Sequence, residues 1–507
     1  MRVSGTAKLL NACVWSSLLL PLPSAQANMA FTASEEPLNT IIITARRLEE
    51  SAQDVPISVT SIRGETLNQA GITTAQELQQ VVAGLQVAVP NPRLAQFTLR
   101  GLGSSSFNEG LESSVGLFVD GVYLGRQSMS ITDLIDIERI EVARGPQGTL
   151  FGKNATAGTI HVITQKPQFT PQALMEVSGG SEGTAQIRGT VTGPVNSTTA
   201  LRLTAWHNER EGLVENQFNG ERYNDRHREG VRGQLLWAPT AKLSSRVIAE
   251  YSRLDERCCA FPLFGEPSKT VNARDEYVGY QRVSGNPFDR IADLNVRPSS
   301  QAEQYALSNE TQWDFDLRHR LVSISAFRDF QFKPITEDNT SLDLVVSGTS
   351  SAQTQFSQEL RIDSRWRHAE TVLGLYVLNQ NTRGSEYVRL GEDMSQWIFG
   401  GLIRENIPFA NKENTGALLN ALIPPETLAG METRTPFQQK ATSVAGFGSL
   451  NWHATDQLDV SLGLRYTVEW KDTEVRRRRS GGNPNASPLA LTNNLALLAP
   501  LLGSQVS

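Results

Sequence analysis

From about Gln172 onward the chain alternates hydrophobic and polar positions with a period of two. The clearest run is Leu458 to Trp470. Leu458, Val460, Leu462, Leu464, Tyr466, Val468 and Trp470 fall on one face, and Asp459, Ser461, Gly463, Arg465, Thr467 and Glu469 on the other. Phe356, Leu360, Ile362 and Trp366 repeat the pattern against Ser357, Glu359, Arg361 and Asp363, with weaker copies at Leu201-Leu203-Ala205 and Val247-Ala249-Tyr251. Side chains alternate across a strand, so each run predicts a strand with one greasy and one wet face. There are about eleven such runs, each long enough for the roughly ten residues a strand needs to cross a bilayer. Their connections alternate in length. Pro194 to Thr199, Pro239 to Lys242, Asp316 to His319, Arg367 to Ala369 and Ala454 to Gln457 are short. Longer segments lie near Arg210 to Arg222, Arg253 to Ser300, Lys333 to Ala352 and Thr382 to Gln438. Short turns at one end and long loops at the other suit an antiparallel membrane barrel; a soluble sandwich has no reason to keep that parity.

Upstream the elements are shorter. Val55, Ile57 and Val59 alternate as a strand; Glu65 to Ala70 and Thr74 to Val82 read as short helices stopped by Gly71 and Gly84. Leu85 to Val89 and Phe97 to Arg100 follow as strands. Val115 to Val119 and Val122 to Leu124 are joined by Asp120-Gly121, a two-residue hairpin signal. Ile131 to Ile135 reads as a helical turn leading into Ile137–Lys166, IERIEVARGPQGTLFGKNATAGTIHVITQK. There two β-rich runs, Glu138 to Val142 and Thr159 to Thr164, flank Gly145, Pro146, Gly148, Gly152 and Gly158, which predicts a heavily turned β unit with little bulk of its own for a core. Gly148 to Lys153 is not a phosphate-binding loop, because Gly148 is one residue too close to Gly152 and Asn154 stands where Ser or Thr would hold Mg²⁺. Gly101-x-Gly103 lacks the third glycine of a dinucleotide fingerprint, with Ser106 in its place.

The 507 residues imply more than one domain. A formal net charge of −6 argues against nucleic acid as a partner. The start is a targeting segment: Arg2 and Lys8 precede the apolar Leu9 to Leu22, and Ala25-Gln26-Ala27 fits a cleavage site, leaving Asn28 as the first mature residue. Cys13 is then removed, and Cys258 and Cys259 are too few for a disulfide scaffold. They read as loop residues open to oxidation after export, with a strained ring or a soft-metal site as alternatives. His161, His207, His227, His319, His368 and His453 are scattered, without HExxH spacing, and no serine-elbow motif occurs, so neither an enzyme nor a metal or cofactor site is expected.

Taken with Leu99-Arg100-Gly101 and the Phe118-Val119-Asp120-Gly121 hairpin, the Ile137–Lys166 stretch resembles the plug domain of TonB-dependent outer-membrane receptors. The resemblance covers ordered motifs over roughly a hundred residues. It implies a mainly β fold, with a small α/β plug followed by an incomplete antiparallel transmembrane β-barrel. The expected layout is a signal peptide at 1–27, TonB box and linker at 28–54, plug at 55–167 and partial barrel at 168–507. Asn39 to Ala45 is rich in β-branched residues and has no local partner, a segment able to add to another protein's sheet edge. It stands where the family carries its TonB box, which assigns Thr40, Ile41, Ile42, Ile43 and Thr44 to TonB. The resemblance also makes Arg100, Glu141 and Arg144 a latch between plug and barrel wall, fork-shaped guanidinium groups suiting carboxylates. It makes the small polar loop Ser104 to Gly110, with Ser104, Ser105, Ser106, Phe107 and Asn108, a candidate ligand site at the plug apex. Arg476 to Arg479 reads mainly as a solvated charge run.

The function implied is energy-coupled uptake of a bulky scarce ligand, a ferric siderophore first, with TonB and its inner-membrane energising complex as partner and outer-membrane lipid around the barrel. A receptor for an oligosaccharide or cobalamin-like ligand is the alternative. Asn28 to Leu38 is too short for the extra domain of signalling members. Plugged transporters have about 22 strands and this chain about half of them. The sequence is therefore expected to be a fragment, a truncated and inactive remnant, or a half-length protein.

Overall fold

The computed structural model describes residues 42–482 apart from 45, 49, 54, 90–94, 105–111, 131–132, 425–426 and 456. The signal peptide, Thr40 and Ile41 of the expected box, Ser105 to Asn108 of the apex loop, and the tail beyond Gly482 lie outside the described residues.

The first part is a small α/β domain. Two short strands, β1 (Ile42–Ile43) and β2 (Glu50–Ser51), pair antiparallel at its edge. After β3 (Ser58–Arg63), helix α1 (Gly64–Gln69) and a 3₁₀ turn at Glu77–Gln80 come β4 (Leu85–Ala88), β5 (Gln96–Leu99) and β6 (Leu102–Gly103), which form a three-stranded sheet. The second expected helix thus shrinks to one 3₁₀ turn, entered where the Glu77 carboxylate accepts from the backbone N–H groups of Thr73 and Thr74. Strands β7 (Val115–Val119), β8 (Val122–Tyr123), β9 (Ile137–Arg144) and β10 (Gly158–Thr164) build a five-stranded sheet in the order β3-β9-β10-β7-β8. Helix α2 (Gly148–Phe151) occupies the glycine-dense link. Asp120 and Gly121 have φ of 48° and 78°, the paired left-handed conformation that a two-residue hairpin turn requires. A 3₁₀ turn stands at Gln127–Ser130, while the start of the helical turn expected at Ile131 to Ile135 lies outside the described residues. The Ile137–Lys166 stretch also has more bulk than expected: Ile140, Val142 and Ile160 sit at the centre of the domain's core with Leu67, Leu78, Phe97 and Leu99.

The second part is one antiparallel sheet. Its long strands are β11 (Gln172–Gly179), β12 (Ala185–Asn196) and β13 (Thr199–Arg210). After β14 (Val214–Asn216) and β15 (Arg222–Tyr223) in a loop, it continues with β16 (Arg226–Thr240) and β17 (Leu243–Glu256). A long connection holds α3 (Lys269–Val278) and β18 (Ile291–Ala292), followed by β19 (Ser299–Asp314), β20 (His319–Glu337), β21 (Val345–Arg365) and β22 (Ala369–Leu390). Helices α4 (Gly401–Asn406) and α5 (Lys412–Leu422) precede β23 (Glu432–Thr455), β24 (Leu458–Val475) and β25 (Arg478–Ser480). The hydrogen-bonded order runs from β11 to β24 in sequence order, with β25 on β23; among the described residues no ladder joins β11 to β24.

This wall is inverted relative to a soluble protein. On β21, Gln353, Gln355, Ser357, Glu359, Arg361 and Asp363 are buried, while Phe356, Leu360 and Ile362 are exposed. Leu464 and Tyr466 on β24 are 78% and 74% exposed. A polar inner face with a contiguous apolar outer one fits lipid on the outside. No helix among the described residues is long and apolar enough to cross a membrane.

All five expected short turns are present, but the Lys333 to Ala352 loop is mostly strand, with β20 reaching Glu337 and β21 starting at Val345. At about 3.3 Å per residue, strands as long as the 24 residues of β23 outrun an apolar band about 25 Å tall. They project beyond it at the long-loop end. The loops there carry structure of their own. Tyr277, Ile403 and Leu419 of α3, α4 and α5 share a small core. Asn411 caps α5 through a reciprocal pair of bonds with Asn414.

Candidate functional site

The expected site residues that the structure describes fall into two groups. Ile42, Ile43 and Thr44 are held at the edge of the plug. Ile43 is fully buried against Val55 and Ala143. The Thr44 N–H donates to both carboxylate oxygens of Glu141 at 3.0 Å, and its hydroxyl lies 3.2 and 3.3 Å from the same oxygens. Glu141 is itself fully buried and accepts from Arg139 Nε at 2.8 Å. Its contacts are therefore inside the plug, where it tethers Thr44, the last residue of the expected box.

Arg100 and Arg144 do not form the expected latch. Arg144 donates through Nε and a terminal nitrogen to the carbonyl of Ala83, and approaches Ser58 Oγ, all plug groups. Burial, and then the neighbouring Arg100 charge, hold the Arg144 guanidinium below its usual range. Arg100 adopts a left-handed φ of 52° beside Gly101 at the strand end. Ser104 accepts from the Ser114 N–H and donates to the Glu112 carbonyl, closing the base of the apex loop.

Along β13, β16 and β17 the joint between plug and wall has the opposite polarity, with carboxylates on the plug and arginines on the wall. Asp136 accepts from Arg202 Nε at 2.6 Å and a second nitrogen of the same fork, and from Thr204 Oγ1 at 2.8 Å. Asp133 accepts from Asn208 at 2.7 Å and Arg228 at 3.0 Å. Asp120 accepts from Arg246 at 3.1 Å and from the Thr164 N–H and hydroxyl. Burial pushes the Asp120 carboxyl up, but Arg246 and Thr164 together outweigh it and hold the group below the usual carboxylate range. Arg232 donates to the Ile135 carbonyl at 2.9 Å. On the other flank Gln355 donates to the Tyr123 carbonyl at 2.6 Å, and Lys153 pairs with Glu469 at 3.1 Å. Gly152 (φ 80°) allows close approach, since a Cβ there would stand 2.7 Å from the Arg465 guanidinium.

Residues 46–48 connect the two parts. Arg46 pairs with Glu50 and donates to Asn451 Oδ1 of the wall at 3.0 Å. Arg47 donates to Glu359 of the wall at 2.7 Å, and its guanidinium lies 4.5 Å from the centre of the Phe151 ring. Leu48 packs with Val372 and Phe447. Beneath Arg47, His161 stacks on Phe118 at 4.7 Å and meets Phe151 edge-on at 4.5 Å. Burial, with the Arg47 charge adding to it, lowers the His161 pKa to about 3, so the imidazole is neutral. Thr44, Arg47, Asp120, His161, Arg246 and Arg361 line a cavity of about 620 Å³. The 314–320 turn also lines it, which puts this N-terminal tether at the short-turn end of the wall.

Residues 51–159 match the TonB-dependent Receptor Plug Domain family. The pesticin receptor of Yersinia pestis is 24% identical over 479 residues, covering 92% of this chain and 60% of that protein. The vitamin B12 transporter BtuB of Vibrio vulnificus is 30% identical over 211 residues, 41% of this chain and 33% of that protein. Among solved structures, the ferric yersiniabactin uptake receptor FyuA from Yersinia pestis superposes with a TM-score of 0.64 at 19% identity, over 84% of this chain and 60% of that one. The ferripyoverdine receptor of the Pseudomonas aeruginosa outer membrane does so at 0.63 and 15%, over 87% and 56%. The chain spans about 60% of the length of the pesticin receptor it matches. The chain thus carries a TonB-dependent receptor plug domain, followed by an antiparallel strand wall whose fold matches that of solved outer-membrane receptors.

Proposed function

We propose that this TonB-dependent receptor chain serves the active uptake of a bulky, scarce ligand, a ferric siderophore first, with residues 40–44 as the strand that TonB captures. The carrying observation is the tether itself. Thr44 hangs from a fully buried carboxylate of the plug, and Arg47, three residues on, hangs from Glu359 of the wall. Backbone pairing by an added strand grips along its length. Tension on residues 40–43 would load Thr44–Glu141 first and Arg47–Glu359 next. Release of Arg47 would uncover the cavity over His161, at the end of the wall where a ligand would leave. The siderophore reading is supported by the names of the matched receptors, which take up ferric yersiniabactin and ferripyoverdine. The vitamin B12 transporters among the relatives favour a cobalamin-like ligand as the second reading. Ligand capture is assigned to the long loops and the apex loop around Ser104 to Asn108. The plug is held by Asp120, Asp133 and Asp136, in place of the latch expected at Arg100 and Arg144.

The test is uptake of radiolabelled ferric siderophore by cells expressing the receptor gene with residues 40–44 deleted. Uptake should vanish while ligand binding at the cell surface persists. Uptake that survives the deletion rules out the tether as the energy-coupling segment.

A further inference from the structure

The histidines scattered along the chain include two that strand register brings together. Glu209 on β13 stands opposite His227 on β16, and His207 stands opposite Glu229. These odd-numbered positions share the outward face with Leu201, Leu203, Val231 and Leu235, which are exposed apolar residues nearer the short-turn end. The cluster therefore crowns the apolar strip at the long-loop rim, directly below the 211–225 connection. We propose that His207, Glu209 and His227 form a binding site for one divalent transition-metal ion of the zinc or nickel class, outside the barrel wall and independent of the ligand path.

One ligand atom from each of the three residues lies within 4.8 Å of the others. His207 Nε2 is 3.6 Å from Glu209 Oε2. Tetrahedral ligands at bond lengths near 2.1 Å sit on the order of 3.4 Å apart, so small side-chain rotations close the site. The two imidazole rings are 5.4 Å apart at 83°, so they approach one point from different directions. Glu229 supplies what a metal-ligating histidine usually has, a carboxylate facing its other ring nitrogen: Glu229 Oε2 is 4.0 Å from His207 Nδ1. Two imidazoles and one carboxylate with a position open to water are a common donor set for zinc, and imidazole suits nickel as well. The ion would bridge β13 and β16 where their loop begins, and so pin the rim beneath the small β14, β15 and β18 sheet.

The experiment is isothermal titration of Zn²⁺, and separately Ni²⁺, into the detergent-solubilised full chain purified without a histidine tag. One saturable site is expected. It should be lost in the His207→Ala/His227→Ala double variant, weakened by about 10–100-fold in Glu229→Gln, and unchanged in His453→Ala, whose imidazole pairs with Asp459 instead. X-ray absorption of the loaded wild-type chain should show two imidazole ligands. A wild-type titration matching that of the double variant, equal loss in His453→Ala, or fewer than two imidazoles in the absorption spectrum would each overturn the assignment.

Discussion

Arg47→Ala isolates the contact that ties the N-terminal tether to the wall. The substitution removes a charged hydrogen bond to Glu359, worth about 1.5–3 kcal/mol, and a ring contact with Phe151, worth about 0.5–2 kcal/mol. Against this, the Arg47 side chain is deeply buried and its Nε has no hydrogen-bond partner, so its removal also relieves a desolvation penalty. Glu359 is not stranded, because Arg361 still donates to it at 2.7 Å. The net loss should therefore lie near the lower end, ~2 kcal/mol. If residues 42–48 open locally and reclose quickly, the open population rises in proportion, by roughly 30-fold. The assay is maleimide labelling of Ile43→Cys, a position with no exposure in the closed state, with and without Arg47→Ala. Cys258 and Cys259 are joined to each other and do not compete. Glu359→Gln should also accelerate labelling, because it takes the carboxylate from Arg47 while Arg361 keeps Asp363 at 3.1 Å. Labelling rates within about threefold of the parent for both variants would show that the tether is held elsewhere and the reasoning is wrong.

Arg202→Ala strands the buried Asp136 and should weaken plug retention by about 3–5 kcal/mol, read as earlier protease cleavage of the plug. The Arg202→Ala/Asp136→Ala pair should do less harm than the sum of its members. The pH dependence has two separate windows. Asp120 has a depressed pKa when docked. Its contribution is present above the free carboxyl value of about 3.9 and is lost as pH falls through the docked value; Asp120→Asn should abolish that acid-dependent component of plug protection. His161 is held neutral with a pKa of about 3. Its environment is undisturbed above about 6.5, and stability declines as pH falls from there toward 3, because only the opened form takes up the proton. His161→Phe should flatten plug protection between pH 6.5 and 4.

The wall was readable because one property, polarity by parity, repeats over hundreds of residues. Leu458 to Trp470 shows it plainly, and the five short turns lie where it breaks. The Asp120-Gly121 hairpin was readable because its backbone admits few residue types. The joint was less so, since an ion pair is a relation between two distant positions and the chain shows only one at a time. Some signal was present: Arg202, Arg232 and Arg246 all sit on the polar face of alternating runs, where a wall arginine needs an inward partner. Asp120 was legible only as a turn residue, although its carboxylate also meets Arg246. Arg144 misled because a guanidinium beside a glycine does not show which partner it meets, and here it meets the Ala83 carbonyl within the plug. The helices of the long loops went unread because they pack only on one another.

The reversed polarity of the joint bears on how the plug can move at all. Three of its four wall arginines, besides their plug partner, hold a carboxylate belonging to the wall itself. Arg228 has Glu256 at 2.6 Å, Arg232 has Glu250 at 2.6 Å, and Arg246 has Glu310 at 3.3 Å. When the plug withdraws, these guanidinium groups keep a partner, and the plug carboxylates pass from burial into water. Neither side is left with an unpaired buried charge, the outcome that makes breaking a buried pair expensive. Arg202 differs, since among the described residues its ion pair is with Asp136 alone. The barrier to undocking should therefore concentrate at Asp136 and Arg202. A plug freed there could shift while the other three arginines turn to their wall carboxylates, so the joint is firm at rest and still separable under tension.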